Sequence, residues 1–362
     1  MHVPERLVLQ LHVTERCNLR CGHCYQEGSP AVDPSWDQLV SVIEQYKELL
    51  NYWHGLTGKR VPGHVNLTGG EFFLRRDSFD FLSFLNNQSR YFSHAILTNG
   101  LLCTSEVCGH LQKLKPKFVQ ISLDGNSETH DALRGSGTFV QAIAALRRLK
   151  KKGISTMVAF TAGTRNYRDF QAVVRAARAA GVDKVWADRL IPMGSRGGMR
   201  ESLSPEQCLE FFSLMGSARR ETNLWGLRDS MVSMNRALQF LHGKGEPYIC
   251  RAGDSLLAVM PNGDLLPCRR MPIVVGNLFR SNLVELYYKS NLLHLLREKG
   301  RVARGCEQCD FRLTCRGGLR CLSFAQQGDP FLADPGCWLA VDKSQAAKIR
   351  LSSGTRYFIR AS

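Results

Sequence analysis

Two groups of cysteines dominate the chemistry open to this chain of 362 residues, which holds 13 cysteines in all. Near the start, Cys17, Cys21 and Cys24 lie in TERCNLRCGHCY with the spacing C-x3-C-x2-C. Three thiolates on one short loop can grip three irons of a cubane cluster, and the fourth iron then has no ligand from that loop. An open metal vertex is the general mark of a site that binds substrate. Toward the end, Cys250, Cys268, Cys306, Cys309, Cys315, Cys321 and Cys337 fall within 88 residues. The alternative to iron and sulfur is zinc, since CxxC pairs commonly hold it. A zinc loop at the first group would need a fourth ligand, such as His12 or His23. Cys103, Cys108 and Cys208 fit neither group and are expected to be buried bystanders.

Polar motifs recur at the ends of apolar runs: Thr68-Gly69-Gly70-Glu71, Thr98-Asn99-Gly100 and Ser122-Leu123-Asp124-Gly125. HDALRG at 130–135, which contains Arg134, and Arg189 after a further apolar run add charge. Glycines let backbone approach a ligand closely, and a carboxylate or carbonyl acceptor suits an ammonium. Each motif alone reads as a turn or a surface salt bridge. Their order along the chain makes them a set.

The elements that must position these groups alternate. Strands are expected at 7–13, 65–68, 94–98, 118–123, 154–161 and 184–191. Helices are expected at 35–50, 79–85, 105–114, 138–152 and 169–180, with Gly153 where a C-cap belongs. Alternation of this kind predicts right-handed parallel crossovers. Six units are too few for a closed eight-stranded barrel, so the fold class is α/β, a partial (β/α)6 parallel barrel with a small cysteine-rich C-terminal domain. Its working loops belong at the C-terminal ends of the strands, where the first cysteine loop and the motifs at 68–71, 98–100 and 122–125 fall. The expected organisation is a partial barrel over 1–192, a linker and bridging helix over 193–248 (helix-like from 206 to 241), a cysteine-rich domain over 249–340 and a basic tail over 341–362.

The first cysteine loop resembles the signature of the radical S-adenosylmethionine (radical SAM) superfamily. That resemblance implies a [4Fe-4S] cluster on Cys17, Cys21 and Cys24, with SAM chelating the open iron, and reductive cleavage of SAM to a 5′-deoxyadenosyl radical that takes hydrogen from substrate. It further implies that Gly69, Gly70 and Glu71 hold the SAM amino group and that Ser122 and Asp124 meet the ribose and carboxylate. Asn99, Arg134 and Arg189 would lie near SAM or substrate, and His23 and Tyr25 near the adenine. The C-terminal cysteines resemble the SPASM extension, which implies two auxiliary iron–sulfur clusters: one on Cys250, Cys268 and Cys321, one on Cys306, Cys309, Cys315 and Cys337. The chain departs from that pattern twice. Cys315 and Cys321 stand further apart than is usual, and Arg269 and Arg270 follow Cys268 where sulfatase-maturing relatives have an Asp that acts as base. A guanidinium cannot accept a proton.

Composition narrows the rest. Apolar residues make up 44% and charged residues 22%, ordinary values for a globular chain. Lys and Arg number 48 against 32 Asp and Glu, a formal charge of +16 that favours anionic partners. No secretory leader opens the chain and no stretch of roughly 18 apolar residues occurs, so a membrane span is not expected and the reducing cytoplasm is. The basic residues lack the aromatic interleaving of a nucleic-acid surface. By resemblance, the expected substrate is a ribosomally made peptide that is cross-linked, epimerised or oxidised. The chain starts almost at its first strand, so a separate leader-recognition protein, or none, is expected, with an electron donor such as flavodoxin or ferredoxin. The alternatives are a tetrapyrrole side-chain modifier of haem biosynthesis and a non-catalytic iron–sulfur or zinc protein.

Overall fold

A computed structural model describes residues 1–26, 33–193, 201–222, 231–242 and 248–340. The basic tail over 341–362 lies outside the described residues, as do most of the Gly/Ser/Arg-rich stretch after 192 and parts of the bridging region.

Strands β1 (Leu7–His12), β2 (Gly63–Thr68), β3 (Phe92–Thr98), β4 (Val119–Ser122), β5 (Thr156–Ala162) and β6 (Lys184–Arg189) lie side by side in chain order, all parallel. Helices α1 (Trp36–Thr57), α2 (Ser78–Asn86), α3 (Ser105–Leu114), α4 (Ser127–Arg134), α5 (Thr138–Lys151) and α6 (Phe170–Ala179) connect them. This is the expected partial barrel.

Alternation along β1 and β2 sorts the residues by face. Leu7, Leu9, Leu11, Val65 and Leu67 are fully buried in the core that also holds Leu39, Ile43 and Tyr46 of α1. Each such side chain contributes about 1.5–3 kcal/mol. Gln10, His64 and Asn66 fall on the opposite face, half-buried, with Gln120, Ser122 and Trp186 in matching positions. Trp186 Nε1 donates to Gln120 Oε1 at 2.8 Å across the intervening β5, which shows that this face curves inward. α1 begins at a capping box, Ser35 with Gln38, and ends at Gly58, whose φ of 67° is the left-handed conformation that favours glycine. Its Tyr46 hydroxyl donates to the Leu7 carbonyl at 2.7 Å and accepts from the His64 N–H at 2.9 Å, fixing α1 across β1 and β2.

Two sequence expectations change. The stretch 130–135 is not a turn: most of it belongs to α4, capped by Asn126, whose side chain accepts from Thr129 N–H. The bridging helix α7 spans Pro205–Thr222 and does not run to 241. Beyond it the chain forms the short strand β7 (Val232–Ser233), parallel to β6, because the outer edge of β6 offers Val185 and Trp186 as ladder partners.

The C-terminal part is joined to the same sheet. β8 (Leu256–Val259) runs parallel to β1 on the side away from β2, and β9 (Asp264–Leu266) and β10 (Gly276–Asn277) follow antiparallel. Ten strands therefore form one sheet among the described residues. Helices α8 (Leu283–Lys289), α9 (Asn291–Arg297) and α10 (Arg320–Gln327) follow among the described residues. α8 docks on α1: Gln45 donates to the Leu278 carbonyl at 2.9 Å and accepts from Leu283 N–H at 3.0 Å, and Trp53 Nε1 donates to Tyr288 Oη at 2.7 Å. Among the described residues, no helix is long and apolar enough to cross a membrane.

Candidate functional site

The first cysteine loop leaves the C-terminal end of β1 and is held by backbone on both sides. Gly70 N–H donates to the Thr14 carbonyl at 2.9 Å, Glu71 N–H to the Arg16 carbonyl at 2.8 Å, and Gly22 N–H to the Leu133 carbonyl of α4 at 2.8 Å. The two glycines are needed for this approach. A Cβ on Gly69 would stand 2.4 Å from the Thr14 oxygen, and one on Gly70 2.2 Å from the Arg16 oxygen.

The sulfurs are met by N–H groups. Leu19 N–H donates to Cys17 Sγ and Gln26 N–H to Cys24 Sγ, both at 3.4 Å. Arg134 Nη1 lies 3.8 Å from Cys21 Sγ, and Asn99 Nδ2 lies 4.0 Å from Cys17 Sγ. Donors aimed at sulfur stabilise the negative charge of thiolates bound to a cluster and tune its potential. Cys17 is exposed whereas Cys21 is buried, so the loop opens on the Cys17 side. Burial raises the Cys17 and Cys21 thiols above their ordinary range, with Leu19 N–H and Arg134 respectively pulling back, so cluster assembly must release protons here.

Asp124, fully buried beyond β4, is the hub of the site. Its Oδ2 pairs with Arg134 Nε at 2.5 Å and His23 Nε2 at 3.0 Å, and its Oδ1 accepts from Thr161 N–H at 2.7 Å. Burial alone would raise its pKa, but Arg134, His23 and the Thr161 N–H outweigh burial and hold the carboxyl well below the usual range. Asp124 therefore does not present a free carboxylate to a ribose. It positions His23 and Arg134 beside the cysteine loop.

Glu71 is likewise turned inward. Its carboxylate accepts from Thr98 Oγ1 at 2.8 and 2.9 Å, Asn99 N–H at 2.9 Å and Phe73 N–H at 3.3 Å, and it is wholly buried. Burial raises its pKa while those donors lower it, with burial the larger effect. These contacts make Glu71 a brace that sets the turn after β3. Asn99 lies in that turn, and its Nδ2 donates to Asn18 Oδ1 at 2.8 Å within the cysteine loop. Ser122 is half-buried, and its hydroxyl has no hydrogen bond among the described residues.

Arg189 departs furthest from expectation. Its guanidinium pairs through two nitrogens with Asp334 at 2.5 and 2.7 Å, both side chains only 1% exposed, and Nη1 lies 3.8 Å from Cys208 Sγ. It ties β6 to the C-terminal region and is spent on that pairing. Tyr25 also faces C-terminally, with the Arg269 guanidinium 4.8 Å above its ring.

The later cysteines fall in two neighbourhoods. Burial raises the Cys268 and Cys321 thiols, and neighbouring thiolates, Cys250 among them, raise both further while Arg270 opposes the rise. Cys321, despite its unusual spacing, thus stands with Cys250 and Cys268. Arg270 is not free, since its Nη1 pairs with Asp188 at 2.5 Å at the end of β6. Cys306, Cys309, Cys315 and Cys337 line one cavity with Phe240 and Phe311. Burial, chiefly, pushes the Cys306 thiol to about 11 and the Cys315 and Cys337 thiols to about 12. All 13 thiols are free of disulfides. Among the described residues, no three His, Cys, Asp or Glu side chains close tightly enough to share a single metal ion.

Comparison with known proteins decides the family. Residues 11–177 match the radical SAM superfamily, and residues 250–310 match the SPASM iron–sulfur cluster-binding domain. This chain carries a radical SAM domain and a SPASM domain. Among its relatives, an AdoMet-dependent heme synthase of Methanosarcina barkeri is 25% identical over 90% of this chain and 94% of its own length. The antilisterial bacteriocin subtilosin biosynthesis protein AlbA of Bacillus subtilis is 27% identical over 87% of this chain and 67% of its own. The solved structure of anSMEcpe with bound AdoMet has a TM-score of 0.73 at 18% identity, covering 96% of this chain and 92% of that one, a likeness of fold. Radical SAM and SPASM domains carry a SAM-binding [4Fe-4S] cluster and auxiliary iron–sulfur clusters. The donor set fits both: three N–H-supported sulfurs on a loop open at Cys17, and seven further thiols, buried or half-buried, in the C-terminal part.

Proposed function

We propose that this radical SAM enzyme modifies a ribosomally made peptide, abstracting hydrogen from an unactivated C–H bond to form a cross-link, an epimer or an oxidised side chain. When bound, the cluster on Cys17, Cys21 and Cys24 supplies the electron that cleaves SAM to the hydrogen-abstracting radical. The chain's own residues do the rest. Asp124 fixes His23 and Arg134 at the loop, and the Gly69–Gly70 contact holds the loop to β2. Asn99 and Ser122 present polar atoms on the same face. In this reading Tyr25 and His23 border the adenine. Arg189 serves the cavity of the four-cysteine group, not SAM.

The observation that carries the proposal is the N–H-supported trio of sulfurs, open on the Cys17 side, with a separate set of four lining one cavity, and the similarity to AlbA supports a peptide. The enzyme is placed in the cytoplasm, with flavodoxin or ferredoxin as donor and a separate leader-recognition protein as partner. The similarity to a heme synthase favours a second reading, modification of a tetrapyrrole side chain, for which the +16 charge suits a polycarboxylate as well as an acidic peptide.

The test is anaerobic reconstitution followed by SAM and a strong reductant. 5′-Deoxyadenosine is expected, together with a mass change in a precursor peptide encoded beside the gene. A mass change in a porphyrin substrate with none in the peptide would establish the second reading.

A further inference from the structure

Apart from the Asp124 network, buried polar atoms without partners gather at one other place near the first cysteine loop. His12, the last residue of β1, is 1% exposed, and neither of its ring nitrogens has a hydrogen-bond partner among the described residues. The same holds for Glu15 Oε2 at the start of the cysteine loop and for Arg269 Nε, on the turn after β9. The Arg269 charge acts on both His12 and Glu15. Arg269 is itself only 8% exposed. It rests on the Tyr25 ring and reaches the Tyr25 carbonyl with Nη2 at 3.4 Å.

The contrast with the adjacent residue is informative. Arg270 has its carboxylate, Asp188. Arg269 has no ion pair with a carboxylate among the described residues, although it is the more deeply buried of the two. A buried guanidinium with a carboxylate only at longer range, and none hydrogen-bonded to it, is costly, and the cost is recovered when an anion docks on its fork.

We propose that Arg269, backed by Tyr25 and flanked by His12, is a subsite for a carboxylate of the substrate, placed between the first cysteine loop and the Cys250–Cys268–Cys321 group. The planar fork of a guanidinium matches a carboxylate through two parallel N–H donors, and the aromatic face beneath it fixes its plane. His12, held neutral by burial and by the Arg269 charge with its pKa lowered to about 3, adds an N–H donor without adding charge. The Glu15 oxygen at the edge is an acceptor for a donor beside the carboxylate, such as a peptide N–H. The occupant is accordingly an acidic side chain of a peptide. This rests on the peptide reading given above. A propionate of a tetrapyrrole offers the same carboxylate, so the test separates the two.

The test is equilibrium binding to the anaerobically reconstituted full chain in the presence of SAM, without reductant, so that no turnover is needed. The probes are a short amidated peptide with one Glu in a Gly/Ala/Ser background, its Gln twin, mesoporphyrin IX and its dimethyl ester. The Glu peptide is expected to bind about tenfold more tightly than its twin, with the preference reduced to about twofold in Arg269→Gln and intermediate in Arg269→Lys, which keeps the charge but not the fork. Iron content and thermal melting establish that each variant is loaded and folded, and Arg269→Lys carries the test should Arg269→Gln fail to load. Equal binding of the two peptides by the unaltered enzyme, or a Glu preference that survives in Arg269→Gln or is undiminished in Arg269→Lys, overturns the proposal. A preference for mesoporphyrin over its ester, lost in Arg269→Gln and without any Glu preference, overturns the peptide occupant and with it the peptide reading. SAM cleavage assayed separately on the unaltered enzyme tests the radical chemistry, so the two failures are distinguishable.

Discussion

The two ends of the molecule solve the same problem in opposite ways. Each sets a buried carboxylate beside a cysteine group and gives it an arginine: Asp124 with Arg134 at the first loop, Asp334 with Arg189 at the four-cysteine cavity. At the first loop the arginine also reaches a sulfur, a histidine shares the carboxylate, and one cysteine is exposed. At the cavity the carboxylate is closed in. Besides Arg189 it accepts from Leu319 N–H and Gly336 N–H, both at 2.9 Å, and the pair is sealed from water. An open, three-sulfur site can exchange a ligand. A four-sulfur site, which would supply one thiolate to each iron of a cubane, could pass an electron or hold the fold together without a vertex for SAM.

The sharpest way to break this contrast is to remove sulfurs at each end. Replacing Cys17, Cys21 and Cys24 by Ala should abolish 5′-deoxyadenosine formation, a loss of about a thousandfold or more. Replacing Cys309 by Ala should leave measurable SAM cleavage while peptide modification falls. Equal loss of SAM cleavage in both variants would mean that the two ends are not functionally distinct.

Removing a carboxylate comes next. Asp334→Asn strands Arg189 in a dry site and should destabilise the holoenzyme by about 3–5 kcal/mol, read as a lowered melting temperature with loss of iron from the C-terminal part. An unchanged melting temperature would show that water reaches the pair.

Acid should act first on the barrel. His12, His94 and His130 are buried there, and burial is the leading cause that lowers their pKa values, to about 3, 4 and 4. The unfolded chain protonates these rings near 6.5, so it binds more protons than the folded chain between 6.5 and about 4. Stability is then full above 6.5 and declines as pH falls toward 4, at about 1.4 kcal/mol per pH unit for each ring. Urea midpoints between pH 7 and pH 5 should fall accordingly, with a shallower slope in His94→Gln. A flat profile would place these rings in contact with water.

The smallest effects are helix caps, one in each half. Ser35→Ala in α1 and Asn282→Ala in α8 should each cost about 1 kcal/mol without changing SAM cleavage. A single melting transition that moves equally in both would show that the halves unfold together.

The barrel strands were readable because each is a buried run ended by a polar motif, and the position of the first cysteine loop after β1 followed from the same pattern. α4 was not, since only His130 and Leu133 of its residues are buried, and its cap at Asn126 was the one local signal. β7 and β10 are two residues long, too short for any periodicity. The roles of Glu71 and Arg189 were beyond local reading for a different reason. Motif position placed both beside the cofactor, yet the Arg189 partner lies 145 residues away, and Glu71 is spent on Thr98 and Asn99 of the next strand. The gathering of Cys321 with Cys250 and Cys268 is likewise a product of packing, not of spacing.

The parallel seam between β1 and β8 has a practical meaning for engineering. Because the auxiliary region begins with a strand zipped onto the strand that launches the catalytic loop, a chimera that trades this region for a relative's would cut a backbone ladder, not a tether. Grafts that keep 256–259 native and exchange only residues beyond 259 should retain the geometry upstream, whereas cleaner-looking swaps at 249 should disturb chemistry some distance from the join.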